Sequence, residues 1–191
     1  MRIVRRGQVS LEFMLVFGIM LVLMLYSVNS ITFQQGSTSA ETLNMQILLE
    51  EKNLANTIAG TVAQVYAQGP GAKSTTYAKV TYLAEPDYLQ KTFGSTSVTI
   101  KGSGNSVMVW VGSNSVTSGD NKNTVTTEVP YSFKEASLPF PNGLPSKSVR
   151  IVVEWNPDKA EGWSSKTVDG YLEIRININP VGDHEEGTDQ P

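Results

Sequence analysis

The chain has 191 residues, no cysteine, one histidine and a formal net charge of -3 at pH 7. That length accommodates one compact domain plus an extended helix. The missing cysteines exclude disulfides, zinc–cysteine sites and a lipid-modified cysteine, and the acidic balance argues against a general nucleic-acid surface.

The first segment sets a basic head, Arg2, Arg5 and Arg6, before Gly7 and the polar patch Gln8-Val9-Ser10-Leu11-Glu12. From Phe13 to Leu25 there is no charge. With Val9, Leu11 and Val28 the apolar run approaches the roughly 20 residues that cross a bilayer as a helix. The pattern predicts a membrane helix over residues 9–28 or a secretory h-region, with the basic head held in the cytoplasm. A carboxylate in such a segment, Glu12, is costly unless it sits at headgroup level or has a partner.

Arg5-Arg6-Gly7 followed by Gln8-x-Ser10-x-Glu12-Phe13 resembles the class III signal peptide of archaeal type IV pilins. The resemblance covers about the first tenth of the chain and implies cleavage between Gly7 and Gln8 by a membrane-embedded prepilin peptidase. Glu12 then becomes the fifth mature residue, where type IV pilins carry a glutamate. The family prefers Leu four residues after that Glu; Val16 stands there in this chain. Because the proposed cut precedes the apolar run, the mature chain keeps it, whereas an ordinary signal loses its h-region. The resemblance implies a helix that packs against copies of itself, with Glu12, Phe13, Val16 and Phe17 in the assembly contacts. Glu12 would pair with the new N-terminal amine of a neighbour, unless Gln8 cyclises and removes that charge. An assembly ATPase and a platform protein are the implied partners.

From Val9 to Ala67 there is no proline, which predicts a helix over 8–68, hydrophobic over 9–28 and amphipathic over 40–67. A bend near Gly36 is the alternative. In the second part Leu43, Ile47, Leu54, Ile58, Val62 and Val65 recur at helical spacing. Glu50, Glu51, Lys52 and Asn53 are expected to face away from that stripe. Gln68-Gly69-Pro70-Gly71 is a stop signal.

After Tyr77 the period becomes two. Val98 and Ile100, then Val107, Val109 and Val111, flank Lys101-Gly102-Ser103-Gly104-Asn105, which predicts a hairpin around a glycine-rich turn. Val125, Thr127 and Val129 form a further strand, and the prolines between Leu138 and Pro145 predict a loop. Val149, Ile151, Val153 and Trp155 share one face, as do Leu172, Ile174, Ile176 and Ile178. At least six strands over 72–181 predict an antiparallel β-sandwich. Trp110, Trp155 and Trp163 are expected in core or rim packing. Residues 182–191 are acidic and expected to fray.

No catalytic constellation is visible. The single histidine, His184, lies in the tail beside Asp183, Glu185 and Glu186 without fixed ligand spacing, so neither a metal nor any cofactor is expected. Asp120 to Asn123 lacks the later Glu of a calcium loop. The reading is therefore α+β: a long N-terminal helix forming a membrane or filament core, then a β-sandwich-like domain, with residues 1–7 removed. The expected role is non-enzymatic, a subunit that polymerises with itself into an extracellular pilus for attachment, after a membrane-anchored precursor stage and without nucleic acid. The alternatives are a minor pilin-like protein or tethered adhesin, or a soluble secreted β-domain protein cut after Ser30.

Overall fold

The computed structural model describes residues 4–119 and 122–180, and the side chains of 4–12 and 29–40 fall outside the description. In chain order the elements are α1 (Val4–Gln68), β1 (Lys73–Lys79), α2 (Pro86–Phe93), β2 (Val98–Val111), β3 (Thr124–Phe140), β4 (Ser148–Trp155), β5 (Gly162–Val168) and β6 (Tyr171–Ile178). The chain divides into two compact units, one ending at Thr42 and one beginning at Leu43.

In the second unit, four strands form a sheet in the order β1-β4-β6-β5, and β2 pairs separately with β3. β4 and β6 run parallel, while β1–β4 and β5–β6 are antiparallel. The expected antiparallel β-sandwich is thus corrected to a mixed sheet with a separate two-stranded ribbon. The reason lies in the connection after β4. The chain turns over residues 156–161 and lays β5 two strand spacings from β4, leaving a gap of one strand. β6 then returns by a tight hairpin into the gap, in the direction of β4. Alternation of apolar and polar residues is the same whichever way the neighbour runs, so the pattern carried no sign of this.

The expected membrane helix is corrected as well. Among the described residues no helix is long and apolar enough to cross a membrane. The described apolar stretch, 13–28, rises about 24 Å at about 1.5 Å per residue, short of a hydrocarbon core of about 30 Å. Beyond Leu43 the helix is one-sided and carries charge.

One core gathers the inward residues of the second unit. Leu54, Ile58, Val62 and Val65 of α1 join Val149, Ile151 and Val153 of β4 and Leu172, Ile174, Ile176 and Ile178 of β6, all fully or almost fully buried. Each such side chain contributes about 1.5–3 kcal/mol on burial. Two contacts fix the helix on the sheet: the Thr61 and Thr76 hydroxyls share a hydrogen bond at 3.0 Å, and Tyr66 stacks on Trp155 with ring centres 5.8 Å apart.

Two glutamates expected to face away from the apolar stripe face the domain instead. Glu50 Oε1 accepts from the Thr81 amide at 2.8 Å, and Glu50 Oε2 from the Tyr82 and Leu83 amides at 2.8 and 3.1 Å. The segment after β1 has amides that no strand satisfies, and a carboxylate from α1 supplies the acceptor. Glu51 is wholly buried, with neither oxygen partnered. Lys52 and Asn53 are exposed.

Two local expectations change in the ribbon. Gly102 and Gly104 lie inside β2, where the register with β3 shifts, and do not form a hairpin tip. The irregularity lets β2 bend, and the ring of Trp163 lies directly against Gly102 where any side chain would collide. Leu138 to Phe140 is strand: Phe140 pairs with Val98 and Pro139 with Thr99. Proline is tolerated because β3 has a free edge. α2 begins with Pro86 and ends with Gly94 in the left-handed region, whose amide donates to Gln90 O at 3.0 Å.

Candidate assembly surface

The first unit presents an apolar surface without cover. Every large apolar side chain from Phe13 to Tyr26, and Val28, is exposed, from 45% at Leu21 to 73% at Tyr26. Leu and Met, strong helix formers, make up seven of the residues from Phe13 to Tyr26, and no charge interrupts the run. Phe13 and Phe17, one helical turn apart, stack with ring centres 6.3 Å apart and planes 13° from parallel. Gly18 leaves open space where a side chain would stand, a notch into which another helix can approach closely. Apolar side chains exposed on all sides far exceed the patch size tolerated on a free monomer.

Of the residues singled out in the sequence, Phe13, Val16 and Phe17 are brought onto this surface, 69%, 63% and 51% exposed. Arg5, Arg6, Gly7, Gln8, Ser10 and Glu12 are α1 backbone positions whose side chains lie outside those described. His184 and its acidic neighbours, and Asp120 with Asn121, also lie outside the described residues. Met45 and Leu49, exposed apolar residues one turn apart in the second unit, were missed by sequence reasoning. Their i, i+4 spacing off the core stripe was the available signal.

A cleft of about 440 Å³ is bordered by Asn44, Thr92, Asn114, Lys122 and Asn123, with no carboxylate or imidazole among its described lining. Among the described residues no cluster of three His, Cys, Asp or Glu is placed to hold a metal. Asn123 is engaged structurally: its Nδ2 donates to Val111 O and Asn114 O, and its Oδ1 accepts from the Val116 amide.

Charge is concentrated on the outer face of the four-stranded sheet. Glu173, 2% exposed, meets Arg150, Lys166 and Arg175. The hydrogen bond from Arg175 holds its carboxyl below the usual carboxylate range, against the opposing effect of burial, and Lys166 adds to the lowering. The three cations themselves shut out solvent, so the group is covered without lying in the core. Glu154, bonded to Lys159, is held low in the same way. Compared with known protein families, curated proteins and solved structures, the chain matches none.

Proposed function

We propose that the chain is a structural subunit that polymerises through its N-terminal apolar helix into an extracellular filament of the type IV pilin kind, serving attachment or cell contact. The observation that carries this reading is the exposed, charge-free set of side chains from Phe13 to Val28. Water is a poor neighbour for such a helix, and copies of the same helix are good ones: burial contributes about 25 cal/mol per Å² of apolar surface. In this reading cleavage between Gly7 and Gln8 frees the helix, with a prepilin peptidase, an assembly ATPase and a platform protein as partners. The β-rich unit decorates the outside. Glu12 then sets register more than stability, because a buried ion pair gives little net stabilisation while an unpaired partner is costly.

Surface filaments sheared from cells test the proposal. The subunit is expected in them, its N-terminal sequence starting at Gln8. A start at Ile31, or filaments unchanged in number when the chain is deleted, overturns it.

A further inference from the structure

The register of the four-stranded sheet assembles a row that the linear sequence scatters. Tyr77 of β1 pairs with Arg150 of β4, Arg150 with Glu173 of β6, and Glu173 with Lys166 of β5. All four lie on the face opposite the core, because residues alternate sides along a strand. Arg175 stands one row along on β6, opposite Ser164, and Lys73 and Lys79 stand at the two ends of β1. Tyr171 packs edge-on against Tyr77 with ring centres 6.1 Å apart, and both rings are exposed.

Five cations, Lys73, Lys79, Arg150, Lys166 and Arg175, thus share the face with three carboxylates, Glu154, Glu173 and Asp169 at the β5–β6 turn. The face is net positive on a chain whose net charge is -3. Such segregation attracts anions. A small cleft of about 170 Å³ opens between Tyr77, Arg150, Asp169, Tyr171 and Glu173. Arg150 borders it, with its Nη1 3.4 Å from Glu173 Oε2.

We infer that this outer face, the row Tyr77–Arg150–Glu173–Lys166 with Arg175 and Tyr171, is a docking surface for an acidic polysaccharide. Charge complementarity selects a polyanion. The tyrosine pair offers rigid amphipathic area to the faces of sugar rings at low conformational-entropy cost. Arg150 and Arg175 each engage Glu173 through one nitrogen and remain about half exposed, so their other donors can meet the planar carboxylate of a uronate. The exposed Asp169 beside this row argues against nucleic acid, whose backbone presents only acceptors along its length; a hydroxyl-rich sugar can donate to it. The proposal rests on the sheet face alone and holds whether or not the chain polymerises.

The full-length chain, dispersed in detergent, is tested by biolayer interferometry on immobilised polygalacturonate, with neutral dextran and single-stranded DNA as comparison probes. Saturable binding is expected to polygalacturonate and not to dextran, weakening about tenfold as salt rises from about 0.05 M to about 0.5 M. The double variant Tyr77→Ala with Lys79→Gln alters two exposed residues outside the Glu173 cluster. It is expected to keep the parent's circular dichroism and to lose about tenfold in affinity, with Lys52→Gln on α1 as an unchanged control. Absence of binding, equal binding to dextran, tighter binding to DNA, or parental affinity in the folded double variant overturns the inference.

Discussion

Glu50 and Glu51 are neighbours in α1 and opposites in environment. The Glu50 carboxylate accepts three backbone amides, from Thr81, Tyr82 and Leu83. The Glu51 carboxylate, one residue on, is buried with no partner, and burial pushes its pKa up to about 9, with Lys122 pulling it partly back.

The sign of the Glu51 effect follows directly. In the unfolded chain the group ionises near 4.5, while in the fold it stays protonated up to about 9. Its contribution to stability is fully present below the unfolded value and is lost as pH rises between the two. Denaturant titrations across that window are expected to show stability falling, by on the order of 1 kcal/mol per pH unit at most. Glu51→Gln is expected to flatten the slope and to raise stability at the alkaline end.

Glu50→Ala removes the acceptor for three amides in the segment between β1 and α2. The expected loss is about 2–4 kcal/mol, read from the urea midpoint. Glu50→Gln keeps one oxygen as acceptor and is expected to lose less.

Gly102 has no room for a side chain because Trp163 lies against it. Gly102→Val is expected to destabilise by about 1–3 kcal/mol or more in thermal unfolding. Combining it with Trp163→Leu is expected to recover part of that loss, which an effect confined to backbone conformation would not show.

Asn177 pins the connection that forces β5 away from β4. Its Oδ1 accepts from the Asn156 amide at 3.0 Å, and its Nδ2 donates to Lys159 O at 3.1 Å and Ala160 O at 3.0 Å. Asn177→Ala is expected to destabilise by about 1–3 kcal/mol. Hydrogen exchange is expected to speed up first in residues 156–161, with β1 little affected.

Phe17→Asp places a charge in the middle of the exposed apolar set. If that set drives polymerisation, the variant should remain in the supernatant after centrifugation that pellets filaments of the parent chain, because a charge buried between helices has no partner there. Unchanged pelleting counts against the assembly reading.

What was legible in the sequence depended on whether it was local. The alternation of Leu172, Ile174, Ile176 and Ile178 with Glu173, Arg175 and Asn177 marked β6 and its two faces without knowledge of any neighbour. The parallel partner was invisible for the same reason, since that pattern is blind to direction. Pro139 read as a loop because a proline breaks an inner strand, and only the free edge of β3 makes it harmless. Glu51 was readable by spacing, in step with Ile47, Leu54 and Ile58, yet its charge argued for the other side of the helix. The apolar run from Phe13 was plain from hydropathy, whereas the row from Tyr77 to Lys166 draws on four strands and exists only once their register is set.

β6 lies inside its sheet, between β4 and β5, although it follows both of them in chain order. A nascent chain that has completed α1 and β4 therefore still lacks the strip that closes the middle of its own interior. Until residues 171–178 arrive, the greasy side of the helix beyond Leu43 stays partly open, and every chain broken off before that point keeps it so. Late closure of this kind leaves a window in which premature termination yields sticky fragments rather than smaller working versions of the protein.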